Sequence, residues 1–240
     1  MLFEIKHRYS GAVLFALETT SMKLCVQTAI KSGSNLSYSD LRGSNLSGSD
    51  LRGSDLRGSD LSGSDLSGSD LSGSNLRGSD LSGSDLSGSD LSYSNLSYSD
   101  LSYSDLRGSN LSYSDLSGSD LRGSNLRGSN LSGSDLSYSN LSYSDLRGAN
   151  LSGAKIREDI TVQRAPIQIS GLTWPVIIWD HHMQIGCEFH SYSEWAAFSD
   201  QEWIKMGAKL AIPFKRQNFA AIELLCAAHA EDKGWLKCRK

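Results

Sequence analysis

The chain reads as a mainly β solenoid followed by a small α+β domain, and three observations predict this. Leucine falls at every fifth position from Leu36 to Leu151, giving 24 pentads in one register, and Ile156 continues it. A period of five fits neither the 2 of a strand nor the 3.6 of a helix, so the chain turns a corner every five residues. After Ile156 the repeat gives way to short apolar runs and then to helical spacing. Composition alone would make the repeat a flexible Ser/Gly/Asp linker, but a linker has no reason to hold leucine in register. A calcium-binding nonapeptide roll needs a period of nine and paired glycines, which the repeat lacks.

The elements follow in order. Residues 2–18 alternate around Ser10-Gly11, with Phe3-Glu4-Ile5-Lys6 before it and Ala12-Val13-Leu14-Phe15 after it, which predicts a β-hairpin. Thr19, Thr20 and Ser21 are N-cap candidates for residues 22–30, and Gly33 is a stop signal. This predicts a short helix or strand over the open end of the solenoid, which needs a cap. Residues 1–33 therefore form a cap segment.

The pentads run Ser-Asn-Leu-Ser-Tyr, Ser-Asp-Leu-Arg-Gly, Ser-Asn-Leu-Ser-Gly and onward. This pattern resembles the A(D/N)LXX repeat of the pentapeptide-repeat family across 34–157, about half the chain. The resemblance implies a right-handed quadrilateral β-helix with four pentads per coil. In that fold the central Leu and the residue two before it point inward, and the other three point out. The 24 pentads then make six coils, and a strand spacing of about 4.8 Å gives a rod of about 29 Å. The small inward residue, usually Ala, is Ser here at Ser34, Ser39, Ser44 and onward, until Ala149 and Ala154. A buried hydroxyl needs a partner, so each Oγ is expected to bond the backbone of its own or a neighbouring coil; the alternative is that Ser is merely a tolerated small residue, with no further role.

Residues 158–240 read as a small α+β domain. Strands are expected at 160–163, 167–169 and 176–179, with a turn at 171–175, and 183–187 read as a continuation of the sheet. Ser193 reads as a helix cap, Ser199 and Glu202 have capping-box spacing, and 217–229 has an apolar face of Phe219, Ala220, Ile222, Leu225 and Cys226. Helix is expected only within 19–33 and 193–232. The opening hairpin and the segment from Met183 through His190 to Trp195 resemble the ends of phage and prophage pentapeptide-repeat proteins, a likeness that carries no activity.

Charge is uneven. The 240 residues carry −4 in total, yet 1–33 carry +2, 157–240 are neutral, and 34–156 hold fifteen Asp against eight Arg and Lys155, a net of −6. The four cysteines, Cys25, Cys187, Cys226 and Cys238, have no framework spacing. No apolar run approaches signal or membrane length, so the reading is a reduced, cytoplasmic protein without a membrane segment.

There is no Ser/His/Asp order, P-loop or dinucleotide fingerprint, so neither an enzyme nor a cofactor is expected. Cys187 and His190, with Asp180, His181 and His182 nearby, are the only metal-ligand types in a group, but a second pair is missing and no metal is expected.

The outward positions of the rod are more informative. In the family geometry residues 20 apart share a face. Arg107, Arg127 and Arg147 then form a basic stripe, and Asp40, Asp60, Asp80, Asp100 and Asp120 form an acidic column. Arg is absent between Arg57 and Arg77 and between Arg77 and Arg107, so Asp60, Asp65, Asp70, Asp80, Asp85 and Asp90 make an acidic belt. Tyr replaces Gly at seven pentads. Tyr93, Tyr98 and Tyr103 mark successive corners of one coil, and Tyr113 stacks on Tyr93.

The expected partner surface is therefore Asp60, Asp65, Asp80, Asp85, Asp100, Tyr93, Tyr98, Tyr103 and Tyr113. The bland alternatives are a solvated surface that blocks edge aggregation and Tyr rings lying flat along the corners. Family members of the quinolone-resistance type resemble duplex DNA and bind DNA topoisomerases. A duplex of this length carries about −17, against −6 on the rod, so mimicry here is confined to the belt. The expected function is non-catalytic binding of a protein partner, such as a DNA-binding enzyme, without direct nucleic-acid binding. The rivals are a phage-encoded inhibitor without mimicry, a passive scaffold, and a small-ligand binder in the C-terminal domain.

Overall fold

A computed structural model describes residues 1–207 and 210–230. The chain divides into two compact units at Thr161/Val162.

In the first unit, parallel bridges join each Asp or Asn of the repeat to the residue 20 further on, from Asp40–Asp60 to Asp135–Lys155. One coil therefore takes four pentads, and the chain forms a β-helical solenoid. The pentad from Asp80 to Ser84 shows why this sequence coils. Asp80 N–H donates back to Ser59 C=O, while Leu81 and Gly83 N–H donate forward to Asp100 and Ser102 C=O, all at 2.7–2.9 Å. Ser82 N–H donates to the Asp80 Oδ1 at 3.0 Å, and Ser84 N–H closes a β-turn on Leu81 C=O at 3.1 Å. Every backbone donor of the pentad has a partner, as burial between coils requires.

The turn sets its third residue in the left-handed region, with φ +63° at Gly83, which glycine adopts freely. The leucines from Leu36 to Leu151 are at most 5 % exposed. Burying each contributes about 1.5–3 kcal/mol. Most inward serines donate Oγ to the Leu C=O of their own turn, as Ser84 does to Leu81 at 2.6 Å. Ser59 and Ser99 reach the preceding coil at Leu36 and Leu76. Ser49, Ser54, Ser64 and Ser74 depart from the expectation: their buried hydroxyls have no partner.

The hairpin forms as strands β1 (Leu2–His7) and β2 (Val13–Glu18), and β1 also pairs antiparallel with β3 (Ser39–Asp40) of the first coil. This pairing covers the backbone edge of the first coil at Ser39 and Asp40, a strand edge otherwise open to aggregation. Residues 22–31 are a helix, α1 (Met22–Lys31), capped by Ser21 Oγ accepting the Leu24 N–H. Ile5, Cys25, Val26 and Ala29 are fully buried, and Lys23 Nζ donates to Ser47 C=O at 2.6 Å. The last coil runs into β4 (Lys155–Arg157), paired antiparallel with β5 (Ile160–Thr161).

The second unit holds a four-stranded antiparallel meander of β6 (Ile167–Ile169), β7 (Val176–Ile178), β8 (His182–Ile185) and β9 (Glu188–Ser191). Three helices follow: α2 (Tyr192–Ala197), α3 (Asp200–Gly207) and α4 (Ala211–Ala230). Val176, Ile178, Met183 and Ile185 of the sheet pack with Trp195, Trp203, Phe214, Phe219, Ile222 and Cys226 of the helices.

Four details differ from the sequence reading. Strand β9 was not foreseen. The α2 cap is Ser191 rather than Ser193, because Ser191 and Glu194 close a reciprocal capping box. Helix α4 begins at Ala211, six residues before the expected start, with Pro213 in its first turn where a missing N–H costs nothing. Ala220 and Leu225 face solvent rather than the core. Cys238 and the end of the expected helical range, 231–232, lie outside the described residues. Among the described residues no helix is long and apolar enough to cross a membrane.

Candidate partner-binding surface

The pentad geometry gives its Asp or Asn a fixed duty. The side-chain oxygen accepts the N–H two residues on, an Asx-turn that either residue can make. Asp85 does so for Ser87 at 2.9 Å and Asn95 for Ser97 at 3.0 Å. The backbone needs the oxygen and not the charge, so the distribution of Asp over these positions is free to serve another purpose.

Where Arg follows Leu, it folds back on the Asp of its own pentad. Arg42–Asp40, Arg52–Asp50, Arg57–Asp55, Arg107–Asp105, Arg122–Asp120 and Arg147–Asp145 all pair at 2.5–2.8 Å. The Arg52 fork holds the Asp50 carboxyl down at about 2, and arginine hydrogen bonds lower Asp40, Asp55, Asp105 and Asp145 in the same direction. The basic stripe expected from Arg107, Arg127 and Arg147 is thereby mostly neutralised. Within that stripe Arg127 alone stands beside an Asn, Asn125, to which it gives its backbone N–H.

The acidic belt narrows in the same way. Asp60 is largely buried, with Arg8 of the hairpin at 3.4 Å and Arg42 at 3.7 Å, so it is no free acid. Asp70 has Arg52 at 3.6 Å. Among the described residues no basic side chain comes within 4 Å of Asp65, Asp80, Asp85, Asp90, Asp100 or Asp115. Each gives an oxygen to its own Asx-turn. Hydrogen bonds from the Ser67 hydroxyl and N–H keep the Asp65 carboxyl below its usual range. Asp80 and Asp100 share one column and Asp65 and Asp85 another, so free carboxylates stack about 4.8 Å apart.

The tyrosines occupy the glycine place of the turn. All seven have φ between 57° and 61°, where a non-glycine residue costs about 1–2 kcal/mol. Tyr93 and Tyr113 stack, with centroids 5.3 Å apart at 11°. The Tyr98 and Tyr103 rings lie against Gly118 and Gly123 of the following coil, and a Cβ on either glycine would come within 2.9 Å of the ring. The rings therefore do lie along the corners, yet all four remain 59–75 % exposed. The Arg77 guanidinium stands 5.4 Å from the Tyr98 centroid. The sequence reading missed Arg8 and Arg77. Arg77 was within reach, since it lies one coil and one residue before Tyr98.

The metal-ligand group is dispersed. Cys187 is exposed in the turn after β8. His190 on β9 presents its ring edgewise to Trp195 and Phe198, at 5.2 and 4.9 Å. Among the described residues no three His, Cys, Asp or Glu side chains come together as a metal site.

A family model described as pentapeptide repeats matches residues 34–73, 74–112, 89–128 and 114–153, together half of the chain. Among curated proteins no sequence matches. Solved structures do. A pentapeptide repeat protein from the cyanobacterium Cyanothece 51142 is 36% identical over 39% of this chain and 64% of its own, with a TM-score of 0.38. One from the Arabidopsis thaliana thylakoid lumen is 33% identical over 43% of this chain and 66% of its own, with a TM-score of 0.34. QnrB1, a plasmid-mediated fluoroquinolone resistance protein, is 21% identical over 50% of this chain and 71% of its own, with a TM-score of 0.31. The chain spans just under two thirds of the first two structures.

Proposed function

The chain belongs to the pentapeptide-repeat family, and on that premise we propose that it is a non-catalytic protein-binding solenoid whose acidic middle coils dock a basic partner. In this reading a right-handed quadrilateral β-helix over 34–157 is the working part, between a cap at 1–33 and a small α+β domain at 158–240. One observation carries the reading. The fold accepts Asn and Asp alike, yet the middle coils hold Asp65, Asp80, Asp85, Asp90 and Asp100 with no basic side chain of the described residues within 4 Å, Arg107 and Arg122 acting on Asp85 and Asp100 only from further off. Stacked free carboxylates repel, and nothing in the coil requires their charge.

A column of negative charge at a regular spacing matches a surface that binds the nucleic-acid backbone. The partner is thus a DNA-binding enzyme, and the belt is a partial mimic of its substrate. The carboxylates raise the on-rate by steering. Tyr93, Tyr98, Tyr103 and Tyr113, held in a strained conformation and still exposed, supply the contact area that sets residence time. A second reading is an inhibitor of a host or defence enzyme that uses the same surface without mimicry.

The test starts from a pull-down in the native host, with the captured protein then purified. The triple variant Asp80→Asn, Asp85→Asn, Asp100→Asn is expected to slow association about tenfold at low salt and flatten its salt dependence. The pair Tyr98→Gly and Tyr103→Gly is expected to speed dissociation. Binding of both variants at parental rates would remove the rod as the binding surface.

A further inference from the structure

The second unit contains a cavity of about 60 Å³ walled by Trp174, Trp195, Trp203 and Met206, with Cys187 and Glu188 at its edge. We propose that this cavity binds a methylated ammonium group, the quaternary or tertiary cation found on choline-like small molecules and on methylated lysine. The inference is independent of the partner surface on the rod.

The walls are built and held. Trp195 and Trp203 are nearly fully buried, with centroids 5.1 Å apart at 45°. The Trp195 indole N–H is spent on Met183 C=O at 2.8 Å. The third indole is given its place by two glycines. A Cβ at Gly207 would come within 2.4 Å of the Trp174 ring, and one at Gly186 would touch the same side chain at 3.7 Å. Alanine at Gly207 and the present position of Trp174 are incompatible.

The charge and size of the site select the ligand. Glu188 is the charged side chain among the described residues that line the cavity. Its carboxylate is 41 % exposed and has the His190 Nε2 at 3.6 Å. Indole faces attract cations through the ring quadrupole, and the Trp203 ring already holds one, with Lys215 Nζ 5.7 Å from its centroid. The walls offer few acceptors, so an ammonium bearing several N–H groups would lose hydrogen bonds to water without replacement. A methylated ammonium has apolar methyls for the indoles, a spread positive charge for Glu188, and little or no N–H to satisfy. At about 10–15 Å³ for each water-sized group, the cavity has room for about four to six, enough for a nitrogen with three methyls.

The experiment titrates the full chain with choline and with 3,3-dimethylbutan-1-ol, its neutral carbon isostere, followed by tryptophan fluorescence. Alkylation of Cys187, mapped by mass spectrometry, gives a second readout. Choline is expected to bind at least about fivefold more tightly than the isostere and to protect Cys187. Glu188→Gln, a change at a partly exposed side chain, is expected to reduce that preference, and Gly207→Ala to weaken both ligands by displacing Trp174. A short trimethyllysine peptide identifies the source: tighter binding than choline assigns the site to a protein side chain, equal binding to a free metabolite. Equal affinity for choline and its isostere would reduce the site to an apolar pocket and overturn the proposal. So would a choline titration that changes neither fluorescence nor Cys187 alkylation.

Discussion

Replacing Asp85 by Asn and, separately, by Ala pulls apart the two effects of its carboxylate. Asp85 Oδ1 accepts the Ser87 N–H at 2.9 Å. In Asp85→Asn the amide oxygen keeps that bond, as Asn95 does two pentads on. In Asp85→Ala the part-buried N–H loses its acceptor, at a cost of about 1–2 kcal/mol. The charge acts in the opposite sense. Asp65 stands one coil away in the same column, while Asp105 on the other side is paired with Arg107, whose guanidinium also attracts Asp85 and offsets part of the repulsion. Two unit charges about 4.8 Å apart in water repel by about 0.9 kcal/mol, less when salt screens them. Asp85→Asn is therefore expected to stabilise by a few tenths of a kcal/mol up to about 0.9 at low salt. Asp85→Ala gains the same relief but loses the bond, and is expected to be destabilised by about 0.1–1.7 kcal/mol. For a unit of this size 1 kcal/mol moves Tm by about 2–4 °C, so the variants fall on opposite sides of the parent in melts followed by circular dichroism. Raising salt to about 0.5 M should shrink the Asn gain and leave the difference between Asn and Ala. If Asn melts as low as Ala, the coil needs the charge itself and the case for a free acidic surface collapses. If Ala melts as high as Asn, the Asx-turn contributes nothing.

Three further outcomes are expected. Asp50, Asp55, Asp105 and Asp145 are held below their unfolded pKa by arginine, Asp50 at about 2. Stability from a depressed carboxyl is present above its unfolded value and lost as pH falls through the folded one, so Tm should hold down to about pH 4 and drop toward pH 2; an unchanged melt at the acid end contradicts this. Leu91 is fully buried in the column, and Leu91→Ala should cost about 2–5 kcal/mol, with a parental melting temperature as the contrary result. Elemental analysis should find no stoichiometric zinc, and one zinc per chain that disappears in Cys187→Ser would restore the Cys187/His190 site.

What could be read before the structure was what repeats or stays local. Leucine in a fixed register marks the inward row because any slip would expose it, and Ser10-Gly11 between two alternating runs marks the hairpin. The turn conformation of the tyrosines was also legible, since they stand where other pentads keep Gly. What escaped is long-range or locally ambiguous. Arg8 meets Asp60 across 52 positions, and no local pattern announces that pair. Strand β9 is half-buried at every residue, so it has no alternation to read. Pro213 looks like a stop, yet it lies in the first turn of α4, where its missing N–H does no harm. Trp174, Trp195 and Trp203 come from a loop and two helices, and only the folded sheet brings them to one cavity.

Because each pentad closes its own turn and lends the rest of its N–H groups to the coils 20 residues away, the gene can lengthen or shorten this rod in two unequal ways. A tandem duplication of twenty codons inserts a whole coil: every column keeps its phase, and the stacked carboxylates gain one step of about 4.8 Å. A duplication of five codons is as harmless to each turn, but it advances everything downstream by one face. With the insertion between Asp70 and Asp80, Asp80 would join the column of Asp65, and Asp85 would pass to that of Asp70, so the charge pattern would be redrawn without a single substitution. Indels in multiples of five are thus tolerated by the fold and read by the surface, so a partner that recognises the columns constrains this chain to change in steps of twenty.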